Sequence, residues 1–258
     1  MQVPIQLYHK GRQLLGMIHV PLRRAKGSPL VLMNYGMNGD RVDNHRLSVQ
    51  FARHANEAGI TVVRFDYSGC GVSTEEFWET SLTEKTSDTL AVIDFIKGCF
   101  PEEDFNLIML GYSDGIRILS KVANLRKEVR AICMWNPIIR SMTGTFKASG
   151  KKMAVEPITK KLVFPLFGLY MGIDYLKEAN EDMRIEDVME LNMPKLFVFG
   201  TGDTHTLPLQ KELDAFSLPA DATIEKINGA NHLFSKVEWS AQVIKITTDW
   251  VNSLSGKH

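Results

Sequence analysis

The chain has 258 residues, with 30 Lys+Arg balancing 30 Asp+Glu, and its 44% hydrophobic, 9% aromatic and 23% charged residues are ordinary globular composition. That length supports one large domain or two small ones and a core that needs no staples. The flat charge balance offers no basic face to DNA, RNA or an anionic membrane, so nucleic-acid binding is disfavoured.

The first thirty residues alternate through Ile5, Leu7, Leu14, Ile18 and Val20 around Lys10-Gly11, which predicts a half-buried hairpin. Pro29 to Gly36 is a continuous apolar run of the kind buried on both faces. Val42 to Ala58 has helical spacing at Leu47, Phe51, Ala52 and Ala55 and ends at Gly59. Ile60 to Gly69 is a second buried strand, Ser87 to Gly98 a helix, Phe105 to Ser113 a strand, Asp114 to Asn124 a helix and Val129 to Pro137 a strand. The alternation pauses over residues 141–193, where short helix-like pieces carry Pro157 and Pro165. It resumes with a strand from Pro194 to Asp203, a helix from about Pro208, a strand from Ala222 to Gly229 and a last helix from about Ser240. Strands alternating with helices imply an α/β fold with a mostly parallel sheet covered on both faces. The expected organisation is a core of residues 1–140 and 194–258 with a helical lid inserted at 141–193.

Three widely spaced cysteines, Cys70, Cys99 and Cys133, form no CxxC pair and point to a reducing compartment. No signal peptide is visible, and the most apolar stretch, Leu162 to Ile173, is too short to span a bilayer and carries Pro165 and Gly168. A cytoplasmic protein is expected.

Gly111-Tyr112-Ser113-Asp114-Gly115 is a GxSxG pentapeptide that follows an apolar strand and opens a helix. A sharp strand-to-helix turn of this kind lifts a serine hydroxyl above the strand ends, with glycines where side chains would clash. Taken alone it is also a glycine-rich turn with an N-cap serine. A serine needs a base, and the base needs a group to fix its tautomer. Asp203 and His232 each follow a later strand, in the chain order Ser…Asp…His. Singly, Asp203 also reads as a loop cap and His232 as an ordinary loop histidine; together, after successive strands, they read as a triad. His205, two residues from Asp203, is placed near the site and not in it. A tetrahedral oxyanion requires donors. The backbone amide of Asp114 is one candidate, and the amide of Met37, in the loop after the first buried strand, is the other. Metal ligation has no support, since HExxH and paired Cys/His sets are missing, and Gly69-Cys70-Gly71 lacks the third glycine of a dinucleotide fingerprint. No cofactor is expected.

These segments resemble the serine hydrolases of the α/β-hydrolase superfamily, especially the small esterase and serine-aminopeptidase-like branch. NYGMNGDRVDNHRL stands where that family has a His-Gly oxyanion loop; GYSDG, GTGD and GANHLF follow in order; and Asp66, Gly69, Gly71 and Ser73 match a D-x-x-G-x-G-x-S segment. The stretch Asn44-His45-Arg46 is similar to cinnamoyl-esterase-type acyl esterases, a branch releasing short acyl or aromatic acids. The resemblance implies Ser113 as nucleophile, His232 as base, Asp203 as its orienter and the Met37 and Asp114 amides as the oxyanion hole. Two departures stand out: Tyr35 replaces the usual histidine, and Asp114 puts a carboxylate after the serine, where it would repel anionic substrates or raise the pKa of His232.

In this fold the lid covers the site. Most of its apolar side chains must pack it onto the body. A subset, with Phe164, Phe167 and Met171 joined by Tyr35 and Tyr112, is expected to line an acyl pocket. Lys147, Lys151, Lys152, Lys160 and Lys161 make the lid basic, usually a solvated face but also a place for an acyl carrier protein or a coenzyme A thioester to dock. The expected activity is hydrolysis of a carboxylic ester or thioester through an acyl-enzyme. The alternatives are an acyltransferase or trans-acting thioesterase with the same triad, and a non-catalytic binding protein on the same fold.

Overall fold

The computed structural model describes residues 1–101, 106–141, 152–166, 168–181 and 183–254. The alternating start of the chain folds as β1 (Gln2–His9) and β2 (Arg12–His19), joined by Lys10 and Gly11, both at positive φ as a two-residue hairpin turn requires. The apolar runs that follow are strands buried along their length: β3 (Pro29–Asn34), β4 (Thr61–Phe65), β5 (Asn106–Tyr112), β6 (Val129–Trp135) and β10 (Lys195–Gly200). With β11 (Ala222–Ile227) they form an eight-stranded sheet in the order β1-β2-β4-β3-β5-β6-β10-β11. β1 and β2 are antiparallel, β2 runs antiparallel to β4, and every pairing from β4 onward is parallel.

Helices α1 (Leu47–Glu57), α2 (Leu82–Cys99), α3 (Gly115–Leu125), α6 (Leu207–Asp214) and α7 (Val237–Leu254) flank this sheet; α1 packs with α7 and α2 with α3. α1 starts at Leu47, later than the apolar spacing suggests, because Asp43, His45 and Arg46 take positive φ and keep the preceding loop out of helix. α2 starts earlier than expected, at a Ser81 cap whose hydroxyl accepts from the Glu84 amide at 3.0 Å.

The segment between β6 and β10 departs most from expectation. Its described residues hold a small antiparallel sheet of β7 (Ala154–Val155), β8 (Leu162–Leu166) and β9 (Leu169–Gly172), then two short helices, α4 (Ile173–Ala179) and α5 (Ile185–Met189). Gly168, at φ +79, turns β8 into β9 where a helical reading of Leu162 to Ile173 would have continued. β9 lies so close to the Phe77–Glu79 turn of the body that a Cβ on Gly172 would overlap the Trp78 carbonyl. No helix among the described residues is long and apolar enough to cross a membrane.

Candidate active site

Ser113 directly follows β5, in the middle of the sheet, and takes φ +58, a left-handed backbone that a non-glycine residue holds only where its surroundings force it. The force here is packing. A Cβ on Gly115 would sit 2.5 Å from the Asn34 carbonyl, so α3 can turn off β5 against β3 only if that position is bare. The Ser113 amide donates to the Trp135 carbonyl at 2.9 Å and its carbonyl accepts from Ile138 at 3.0 Å, which pins the turn to the end of β6.

Asp203 and His232 come from the loops after β10 and β11. His232 Nδ1 lies 2.7 Å from Asp203 Oδ2, and its Nε2 lies 2.9 Å from Ser113 Oγ. An ionised Asp203 only accepts, so Nδ1 carries the ring proton and Nε2 is left to accept from the serine hydroxyl. Asp203 is buried and also accepts from the His205 amide at 3.0 Å and the Thr206 hydroxyl at 2.9 Å. Burial pushes its carboxyl up, but His232, Thr206 and His205 together outweigh it and hold the group below the usual carboxylate range. The His232 ring stacks on Tyr112 at 5.9 Å, with the His205 ring edge-on at 5.5 Å. The Tyr112 hydroxyl and Asn136 Nδ2 both donate to the His232 carbonyl, at 2.8 and 2.9 Å, while Asn136 Oδ1 accepts from Gly200 at 2.8 Å. Asn136, at φ +40, thus stitches the ends of β6 and β10 to the histidine loop. Nothing in the sequence marks it, because its partners are backbone groups far along the chain.

The loop after β3 runs against the serine: a Cβ on Gly36 would meet Ser113 Cβ at 3.1 Å. The amides of Met37 and Asp114 have no acceptor among the described residues. The loop is anchored from below by Asp66, whose carboxylate accepts from the Arg41 amide at 2.7 Å, the Val72 amide at 2.9 Å and the Arg41 guanidinium. Gly71 is bare because a Cβ there would overlap that carboxylate, which gives the D-x-x-G-x-G-x-S segment its physical meaning. Ser73 completes it by donating to the Asp66 carbonyl at 2.8 Å. The Asp114 carboxylate is buried and accepts from the Tyr175 hydroxyl, so it is engaged by the insertion instead of facing an incoming substrate.

A cavity of about 620 Å³ opens over Ser113 and His232, with Met37, Tyr112, Ile138 and Leu233 as apolar lining and Asn38, Asn44, Arg140 and His205 among the polar groups. Tyr112 is thus at the cavity wall. Tyr35, Phe164 and Met171 are not in its described lining; all three are buried, Phe164 and Met171 in the β8–β9 hairpin. Phe167, Lys147 and Lys151 lie outside the described residues. Lys161 pairs with Glu79 at 2.8 Å, and Lys160 donates to the Pro157 carbonyl at 2.6 Å. Among the described residues no group of three or more His, Cys, Asp or Glu side chains is placed to hold a metal ion, and the three cysteines are unpaired.

No family model matches the chain. No curated protein matches it in sequence. Solved structures do match in fold over nearly the whole length. Est1E from Butyrivibrio proteoclasticus with bound ferulic acid superposes with a TM-score of 0.73 at 22% identity, covering 97% of each chain. An esterase domain from Rhodothermus marinus superposes with a TM-score of 0.71 at 17% identity, also covering 97% of each. DcsB in complex with a substrate analogue gives a TM-score of 0.75 at 14% identity over 98% of this chain and 99% of that one. The chain has the α/β-hydrolase fold.

Proposed function

We propose that the protein is a serine hydrolase that cleaves a carboxylic ester or thioester. The observation that carries this reading is the unbroken relay from Ser113 Oγ through His232 to the buried Asp203, at 2.9 and 2.7 Å, beside two backbone amides with no acceptor among the described residues. Ser113 Oγ attacks the substrate carbonyl as His232 Nε2 takes its proton, and Asp203 holds the ring and stabilises the imidazolium. The Met37 and Asp114 amides donate to the carbonyl oxygen as negative charge develops on it. His232 returns its proton to the departing alcohol or thiol, then activates a water that releases the acid and frees Ser113.

The cavity is of the size that takes a small organic acid and its leaving group. Ferulic acid, held by Est1E, is an aromatic acid of that size, which supports aryl and short acyl esters as the substrates to try first. Docking of an acyl carrier or coenzyme A thioester on the lid lysines has weaker support, because Lys160 and Lys161 already have partners. Three free thiols support a cytoplasmic setting.

The test is labelling by a fluorophosphonate probe, comparing the wild type with Ser113→Ala at equal folding, followed by a panel of aryl and acyl esters and thioesters. Labelling and turnover lost together in the variant are expected. A folded, unlabelled and inactive wild type overturns the reading and leaves a binding protein on this fold.

A further inference from the structure

Beneath the proposed oxyanion loop lies an ionisable group that the reaction as written does not use. Lys85, on α2, is 1% exposed, and its ammonium contacts carbonyls and ring faces: it donates to the Met37 carbonyl at 2.5 Å and to the Gly36 carbonyl at 3.4 Å, and lies 5.0 Å from the Tyr67 ring centroid and 5.2 Å from that of Tyr175. A buried ammonium costs several kcal/mol unless its surroundings replace water, so this placement needs a reason. The Gly36 carbonyl and the Met37 N–H belong to one peptide unit. In a trans peptide they point in opposite directions. Lys85 spans the Gly36 carbonyl, at 3.4 Å, and the Met37 carbonyl of the next unit, at 2.5 Å, so it holds both peptide planes that flank Met37 with the N–H directed away from the ammonium. The Gly39 amide, donating to the Gly36 carbonyl at 3.2 Å, fixes the first plane from a second direction. The positive charge behind the peptide also favours a negative charge forming in front of it.

The other expected donor, the Asp114 amide, is held in a parallel way. Its side chain accepts from the hydroxyl of Tyr175, a fully buried residue of α4 in the insertion, whose ring is one of the two that Lys85 faces. We propose that Lys85 and Tyr175 are positioning residues that set the two amide donors of the oxyanion hole, and that through Tyr175 the insertion is coupled to acyl transfer. The proposal rests on the serine-hydrolase reading above.

Turnover of p-nitrophenyl acetate is measured for the wild type, Lys85→Met and Tyr175→Phe, with folding followed by circular dichroism and thermal melting. Removing a fixed donor of an oxyanion hole lowers kcat by about 100-fold or more. Loosening one lowers it less, so Lys85→Met is expected to lose about 30-fold in kcat and Tyr175→Phe about 10-fold, each with KM within about twofold of wild type. The inhibition constant of trifluoroacetophenone, whose adduct with a serine carries an oxyanion, rises in proportion. Tyr175→Phe keeps the ring against Lys85, so it tests the idea even where Lys85→Met fails to fold. Folded variants with unchanged kcat, or with a change confined to KM, overturn the positioning role while leaving the hydrolase reading intact. A wild type that neither labels nor turns over overturns both.

Discussion

Along the carboxyl edge of the large sheet, Ser113, Asp203 and His232 each sit within a few residues of the end of a parallel strand, whereas the insertion between β6 and β10 takes its shape from contacts made far along the chain. The difference lies in what constrains each region. A strand buried on both faces leaves one place for its following loop, and a parallel sheet brings those loops to one edge. The insertion has no such template. It is tied to the body by Arg117 of α3, buried, whose guanidinium donates to the carbonyls of Ile139 at 3.0 Å and Arg140 at 2.8 Å, before the insertion, and of Glu181 at 2.7 Å, within it. Its hairpin rests on the Phe77–Glu79 turn.

The sharpest test of the first region is Asp203→Asn. The amide side chain keeps the shape but can present its NH2 to His232, and the ring then settles in the wrong tautomer. A fall in kcat of about 10⁴-fold is expected in an ester assay, with the melting temperature little changed. An activity loss under tenfold would mean that the 2.7 Å contact fixes no tautomer that matters.

Arg117→Met tests the second region. It takes the guanidinium from three carbonyls, of which Ile139 keeps the Met183 amide at 2.8 Å while Arg140 and Glu181 lose their donor, and is expected to cost about 3 kcal/mol in chemical denaturation. α3 begins just after Ser113 and stays seated on the sheet, so the two regions should give way in order. The insertion opens first to limited proteolysis, while fluorophosphonate labelling of Ser113 persists at temperatures where the fold survives. Labelling lost at the same rate as the insertion is cut would show the two regions to be one cooperative unit.

Strand-end residues are legible in the sequence, and residues that act on distant backbone are not. Ser113, Asp203 and His232 stand out because each follows a strand in the order Ser…Asp…His, and the structure brings them within hydrogen-bond distance. Asn136, Lys85 and Arg117 do not, since each works on backbone carbonyls that no spacing rule connects to it. Asp66 was visible as part of a motif, but its task of gripping the Arg41 amide is apparent only once β3 and β4 are neighbours. In the insertion, strands of two to five residues are too short for period two to be told from a helical turn, and Gly168 and Pro165 mark breaks without saying of what.

Two groups tied to the loop after β3, His19 through Arg64 and Asp43 within the loop itself, give the smallest effects, and they oppose one another. His19 of β2 is 1% exposed, and its Nε2 accepts from the Arg64 guanidinium at 3.0 to 3.2 Å. Protonating that nitrogen would remove the acceptor and set a second charge beside Arg64. Burial first, then Arg64 and Arg53, accordingly lower its pKa from 6.5 to about 4. Between those values the unfolded chain binds the proton and the folded one does not, so stability rises with pH across the window, by no more than about 3 kcal/mol. Asp43, in the loop that follows Met37, is shifted the other way: burial, only partly offset by the Asn44 amide and the Ser48 hydroxyl, raises it from 3.8 to about 6. Here the folded chain holds the proton longer, and stability falls as pH rises from 3.8 to 6. The two slopes overlap, so the wild-type profile alone shows little, and the difference profiles separate them. His19→Gln keeps an acceptor for Arg64, and the stability of wild type relative to this variant should climb from pH 4 to 6.5. Relative to Asp43→Asn it should descend over nearly the same range. Urea unfolding at half-unit pH steps reads both. A flat His19 difference would mean that Arg64 turns to another acceptor when the imidazole is charged, and that this corner of the loop yields as the insertion does.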